Sequence, residues 1–193
     1  FFDRFAEARL AATELDRGLF HAMCDAADRY GPSRTIVEDV ISGALSYRSL
    51  MTGARVIGQR LAAVTAPGEA VGILLPNANG LVITLMGLAS AARVAAMVNY
   101  TAGPANVTSA VKTAEIKVVV SSRAFIEKAS LADVVAAIEQ AGARMVWLEE
   151  LRKGVSALDK ATAALQWHRP LEPQDASKPA VILFTSGSEG TPK

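Results

Sequence analysis

The chain has 193 residues, 51% hydrophobic and 20% charged, with a formal net charge of +1. This composition excludes an intrinsically disordered segment, and the length suffices for one domain with a real core. The near-neutral balance leaves no basic field for nucleic acid and no acidic tail for a basic partner.

Aromatic residues make up only 6%, so Ala, Val, Leu and Ile carry the expected core. Residues 1–17 mix charges with Phe1, Phe2, Phe5 and Leu10 and read as a helical arm or interdomain linker. Phe1 opens a charged segment with no apolar signal region. The missing initiator Met and the abrupt end at Lys193 suggest an excised piece of a longer protein. Leu19, Met23, Ala26 and Tyr30 share a helix face that Gly31-Pro32 stops. Thr35–Val40 is a predicted strand, turned back at Ser42-Gly43 into Ala44-Leu45. Ser46 is the expected N-cap of a helix presenting Leu50, Ala54, Ile57 and Leu61.

A regular alternation follows. Ala70–Leu75 is an apolar strand, and Asn77 or Asn79 starts a helix through Leu81, Leu85 and Leu88. No charge lies between Glu69 and Arg93, a stretch long enough to span a bilayer, but Pro76, Asn77, Asn79 and Gly80 divide it into strand, turn and helix. Val94–Val98 is the next strand, and Pro104 suits the first turn of a helix carrying Val107, Ala110, Val111 and Ala114. Lys117–Val120 is a third strand. Ser130 with Asp133 reads as a capping box ahead of Leu131, Val134, Val135 and Ile138. Arg144–Leu148 is a fourth strand, residues 161–178 read as a helix end and polar loop, and Ala180–Phe184 is the last strand. Apolar strands separated by amphipathic helices predict a doubly wound α/β fold. Its mostly parallel sheet is covered on both faces, and ligands bind beyond the carboxyl ends of its strands.

Cys24 is the single cysteine, which forms no internal disulfide and fits a reducing compartment. Its apolar helical surroundings predict a buried structural thiol rather than a nucleophile. His21 and His168 are far apart and form no metal-ligand spacing.

The chemistry concentrates after the last strand, in Thr185-Ser186-Gly187-Ser188-Glu189-Gly190-Thr191-Pro192-Lys193. Gly187 and Gly190 allow backbone angles closed to other residues and keep side chains away from a ligand. Successive amides can then form an anion-binding nest. Thr185, Ser186, Ser188 and Thr191 add hydroxyl donors, and Lys193 adds a positive charge. Such a set at the end of a buried strand suits a polyphosphate; a polar surface turn is the plain alternative. The spacing excludes a Walker A loop, and no G-x-G-x-x-G is present. Ser186–Gly190 misses the G-x-S-x-G nucleophile elbow of serine hydrolases only at its first position.

Phe184–Lys193 resembles the phosphate-loop signature of the AMP-binding superfamily, which includes acyl-CoA synthetases, luciferases and peptide-synthetase adenylation domains. Glu189 stands where that signature usually has Thr. Ser46–Leu50, Gly68–Asn77 and Ala92–Asn99 are similar to the family's earlier segments in the same order, so the resemblance covers residues 18–193. Leu74–Gly80, Met97–Gly103, Ser121–Lys128 and Ser186–Gly190 look most like acyl-[acyl-carrier-protein] synthetases of the 2-acylglycerophosphoethanolamine acyltransferase type.

The resemblance implies the amino-terminal portion of an adenylation domain, truncated at its phosphate loop. It implies a ligase that joins a fatty acid to AMP from ATP, with Mg²⁺, and passes the acyl group to the thiol of acyl carrier protein or of coenzyme A. Thr185, Ser186, Gly187, Ser188, Glu189, Gly190, Thr191 and Lys193 would hold the nucleotide. No catalytic residue and no metal ligand are expected within the chain, because the family's adenine contacts, most of its acyl pocket and its catalytic lysine follow this loop. A cytoplasmic location is implied, with inner-membrane association left to other parts of a parent protein. A degenerate, non-catalytic nucleotide-binding module is the reading from another class.

Overall fold

The computed structural model describes Arg4 and residues 16–184. The expected arm over 1–17 and the loop over 185–193 therefore fall almost wholly outside the described residues.

Helix α1 (Leu19–Tyr30) precedes an antiparallel hairpin, β1 (Thr35–Asp39) and β2 (Gly43–Ser46), and then the long helix α2 (Tyr47–Ala62). Ser46 caps α2 as expected, its hydroxyl accepting from the Ser49 amide at 3.2 Å. Next come β3 (Ala70–Leu74), α3 (Asn79–Ser90), β4 (Val94–Met97), a 3₁₀ turn over Tyr100–Ala102, α4 (Pro104–Thr113) and β5 (Val118–Ser121). The chain continues through α5 (Arg123–Lys128), α6 (Ala132–Gln140), β6 (Arg144–Trp147), α7 (Leu148–Lys153), α8 (Ala157–Leu165) and β7 (Val181–Leu183). The short helices α5 and α7 carry too few turns to leave a periodic signature in the sequence.

Five strands form one parallel sheet in the order β6-β5-β3-β4-β7. From β4 the chain crosses back over β3 to reach β5, and this reversal places helices on opposite faces. On one face, Ile57 and Leu61 of α2 and Leu88 of α3 pack on Val71, Ile73, Val118 and Val120. On the other, Val107 and Val111 of α4 and Val134 and Ile138 of α6 pack on Leu74, Ala96 and Val119. An outer layer adds α1, whose Phe20, Cys24 and Ala27 cover Leu50, Met51 and Ala54 of α2 and Met86 of α3. Helix α3 is thus enclosed by the sheet, α1 and α2, which is why its sequence is apolar all round. The uncharged stretch from 70 to 92 is this buried strand-helix unit, and among the described residues no helix is long and apolar enough to cross a membrane.

One corner device recurs at the ends of helices. At Ala92, Glu115, Ser130 and Gly142 the backbone turns left-handed, with φ of 55°, 50°, 53° and 95°. In each case the next amide bonds back to the helix: Arg93 to the Leu88 carbonyl, Ile116 to Val111, Leu131 to Ile126 and Ala143 to Ile138. These are Schellman ends, which satisfy the last helical carbonyls and aim the chain at its next element. The device corrects the expected capping box at Ser130 and Asp133. Ser130 closes α5 instead of opening α6, whose N-cap, Leu131, makes no side-chain cap bond. The capping box forms at Ser156 and Asp159, at the start of α8, whose last turn falls in the stretch expected from 161 as a helix end and polar loop.

Helices α2 and α3 cross through glycine. A Cβ on Gly58 would stand 2.6 Å from the Gly87 carbonyl oxygen, and one on Gly87 would stand 2.8 Å from that of Ala54. Backbone sits on both sides, so neither can yield. In an exposed helix Gly→Ala gains about 1 kcal/mol. Gly58→Ala is expected instead to lose about 1–3 kcal/mol, the range of overpacking. Gly53→Ala is the control, because its Cβ meets only the Ile83 side chain at 3.4 Å. Urea unfolding of the two variants should move the midpoint in opposite directions, and a Gly58→Ala variant as stable as wild type would contradict the packing.

Candidate functional site at the carboxyl edge of the sheet

The loops at the carboxyl ends of the strands come together along one edge. The β1–β2 turn is fastened to this edge by one carboxylate. Asp39 Oδ1 accepts from the Ile41 amide at 2.7 Å and from the Ser42 amide. Its Oδ2 accepts from the Ser42 hydroxyl at 3.0 Å and from the Asn79 amide, the first of α3, at 2.7 Å. Asp39 thereby satisfies a free donor at a helix N-terminus from 40 residues away. Asn79 returns the contact through its side-chain amide, which donates to the Gly43 carbonyl at 2.8 Å. The Asn79 amide is the main influence that holds the Asp39 carboxyl at about 2, with the Ser42 amide second. The expectation that Asn77 or Asn79 starts the helix holds for Asn79, but the cap comes from Asp39.

Farther along the edge, the Ser122 hydroxyl donates to Glu149 Oε1 at 2.7 Å, joining the ends of β5 and β6. Burial raises the Glu149 carboxyl, but the Ser122 hydroxyl and nearby backbone amides outweigh it, so the net shift is downward. Glu149 Oε2 is buried and has no hydrogen-bond partner among the described residues. The two side chains line a small cavity of about 170 Å³ with Leu75, Pro76, Phe125 and Arg152. At the end of β4, Asn99 Oδ1 caps the 3₁₀ turn by accepting from the Thr101 amide at 3.0 Å and its hydroxyl at 2.8 Å. Tyr100 in that turn meets Phe125 edge-to-face, with ring centroids 5.2 Å apart.

Strand β7 reaches the same edge. It runs parallel to β4, with Val181, Ile182 and Leu183 opposite Ala95, Ala96 and Met97. Ile182 and Phe184 pack into the core on the α4–α6 face. Phe184 is the last described residue. The predicted site residues Thr185, Ser186, Gly187, Ser188, Glu189, Gly190, Thr191 and Lys193 all lie outside the described residues, directly after it in sequence.

A larger cavity, about 610 Å³, lies at the opposite, amino-terminal edge between Gly68, Val94 and Ala180. Two of its polar side chains are engaged locally: Arg93 donates to backbone carbonyls and Asp175 accepts from Ser177. Cys24 is buried, and burial first, then Asp28 and Asp25, push its thiol up to about 12. That bears out the structural reading, because a thiol so raised supplies no nucleophile at neutral pH. Among the described residues no three His, Cys, Asp or Glu side chains converge as metal ligands.

Sequence reasoning missed Asp39, Ser122, Glu149 and two buried arginines, Arg55 and Arg93. Only the arginines left a signal. Arg55 interrupts the apolar face of α2 between Met51 and Gly58, and Arg93 interrupts the apolar approach to β4.

Asp39 makes a pH prediction. A carboxyl held low in the fold stabilises above its unfolded value of about 4 and loses that contribution as pH falls. For Asp39 the loss is complete near its folded value of about 2. The stability difference between wild type and Asp39→Ala should therefore be largest near neutrality and vanish toward pH 2. A difference that stays constant across that range in urea titrations would contradict the assignment.

Residues 24–193 match the profile of the family described as AMP-binding enzyme. Solved structures agree in fold. The inhibitor-bound N-terminal domain of FACL13 from Mycobacterium tuberculosis superposes with a TM-score of 0.72 at 20% identity, over 92% of this chain and 43% of that one. VinN in complex with 3-methylaspartate gives 0.70 at 19%, over 93% and 47%. O-succinylbenzoate coenzyme A synthetase (MenE) from Bacillus subtilis, in complex with AMP, gives 0.69 at 16%, over 92% and 41%. At these identities the likeness establishes the parallel α/β fold alone, and the chain spans less than half the length of each structure. The profile match is of a different kind, since it runs through most of the chain and through the predicted loop, and on that ground the chain belongs to the family of AMP-binding enzymes.

Proposed function

We propose that residues 18–193 are the amino-terminal portion of an adenylation domain, with 1–17 an arm or linker before it. The parent protein is an ATP-dependent acid-thiol ligase that activates a fatty acid as acyl-AMP. The observation that carries this reading is the family match continuing from β7 through Lys193. It is supported by the parallel pairing of β7 with β4, which ends at the carboxyl edge where ligands bind in open α/β sheets.

The first step brings an anionic carboxylate to the α-phosphate of an anionic nucleotide. Positioning and charge neutralisation, rather than covalent participation by the protein, lower that barrier. The amides of Gly187 and Gly190, with the hydroxyls of Thr185, Ser186, Ser188 and Thr191, suit the β- and γ-phosphates, and Lys193 balances their charge. Mg²⁺ would supply further neutralisation when bound with the nucleotide, held chiefly by the phosphates rather than by a protein cage.

The acceptor we favour is the thiol of acyl carrier protein, in a parent fused to an acyltransferase and serving phospholipid acylation. Its support is the resemblance of Leu74–Gly80, Met97–Gly103, Ser121–Lys128 and Ser186–Gly190 to that branch. Coenzyme A is the alternative, favoured by the coenzyme A synthetase among the structures of the same fold. The reaction belongs in the cytoplasm, with membrane association supplied by other parts of the parent.

The test is ATP–pyrophosphate exchange by the parent protein with added long-chain fatty acid. Lys193→Ala and Gly187→Val should each lower it by about a hundredfold, the scale of losing one preorganised donor. Exchange that persists at the wild-type rate in both variants would remove the phosphates from this loop. A folded parent that binds ATP but exchanges with no carboxylate would be the non-catalytic module instead.

A further inference from the structure

Residues 166–180 form a strap that carries the chain from α8 to β7 across α2 and α3. It is fastened every few residues. Arg55 of α2, 8% exposed, donates from one guanidinium nitrogen to the Arg169 carbonyl at 2.6 Å and from the other to Gln166 Oε1 at 2.7 Å. Ser90, at the end of α3, accepts through its carbonyl from the Leu171 amide at 2.8 Å, the Glu172 amide at 3.1 Å and the Gln174 side chain at 3.3 Å. The Leu171 side chain lies against Gly58, and the Glu172 carboxylate stands 4.0 Å from Arg93. The Ala95 amide then donates to the Ala180 carbonyl at 3.0 Å, and β7 begins.

Strand β7 specifies its own register poorly. It has three residues and pairs with one strand among the described residues. Ala180–Phe184 is apolar at every position, so no slip would bury a polar side chain. A slip of two residues would nonetheless move whatever follows by about 6.6 Å. The register information must come from outside the strand, and the strap is the segment joined to it. Arg55 is the anchor whose presence stability alone does not explain. A buried cation that finds carbonyl acceptors but no ion pair among the described residues contributes less than a well-packed apolar side chain would. What its planar fork supplies is direction.

We propose that Arg55 is a positioning residue for the loop after β7: its fork fixes the start of the strap, and with Ser90 and Arg93 it sets the register in which β7 meets β4. The inference rests on the reading of residues 185–193 as the phosphate-binding loop.

The experiment uses the parent protein, with ATP–pyrophosphate exchange as one readout and hydrogen exchange of the peptide spanning β7 as the other. Arg55→Met should raise the KM for ATP by about tenfold or more while leaving the KM for the carboxylate unchanged. It should speed exchange in β7 but not in β3 or β5. Arg55→Lys, which keeps a donor toward the same acceptors, should recover part of both effects. If Arg55→Met fails to fold, Gln166→Leu removes one acceptor of the same fork and carries the same expectations. An ATP KM within about twofold of wild type, with or without a loss of stability, would reduce Arg55 to ordinary packing and overturn the proposal. Failure of the loop assignment looks different: Lys193→Ala would then exchange like wild type although Arg55→Met still loosened β7, and that result overturns both.

Discussion

Two glycines, Gly58 and Gly87, let the backbones of α2 and α3 touch, and the rest of the molecule is arranged around that contact. Because the helices meet without side chains between them, both lie close enough to the sheet for Ile57, Leu61 and Leu88 to share one core with Val71 and Val118. The same junction leaves a shallow seat for Leu171, and through it for the strap that leads to β7. A methyl group at either glycine would push apart three elements at once. The cost would fall on the sheet face and on the approach to the loop after β7 together.

From that junction the chain is steered by hydrogen bonds rather than by bulk packing. Schellman ends at Ala92, Glu115 and Gly142 turn the outgoing helix toward β4, β5 and β6 respectively. A non-glycine residue in the left-handed region costs about 1–2 kcal/mol, so Ala92 and Glu115 hold their turns against a local preference, in the service of strand direction. At the opposite edge, Asp39 and the Ser122–Glu149 pair fasten the outgoing loops. The amino-terminal turns thus aim the strands, and the carboxyl-terminal carboxylates hold what leaves them. The result is a firm edge, with β7 its least constrained member and the one nearest in sequence to the proposed phosphate loop.

Much of the layout was legible in the letters. The runs expected as strands at Ala70–Leu75 and Lys117–Val120 form β3 and β5 with bounds shifted by one residue, and Pro104 and Ser46 marked helix starts by their own chemistry. Local rules failed where a residue served a neighbour it could not announce. Ser130 has the letters of a cap but ends the helix before it, and Asp39 caps a helix far along the chain. Arg55 and Arg93 looked like faults in apolar patterns, because their partners sit in a strap with no periodicity. For the candidate site the balance is reversed. Its residues were legible only as a motif, and the structure adds the strand that delivers the chain to it.

Membership of the AMP-binding family supports the proposed kind of chemistry more closely than the proposed substrate, because the described residues build the edge of the sheet that leads to the predicted loop. In the proposed reaction a carboxylate oxygen attacks the α-phosphate of ATP. A fatty acid carrying heavy oxygen in its carboxylate tests this most directly, given to the parent protein with ATP and a thiol acceptor. Attack at the α-phosphate expels pyrophosphate, and the later attack of the thiol on the acyl carbon expels AMP with the bridging oxygen. The account predicts AMP bearing one heavy oxygen from each turnover. Unlabelled AMP, or label appearing in inorganic phosphate beside ADP, would contradict it.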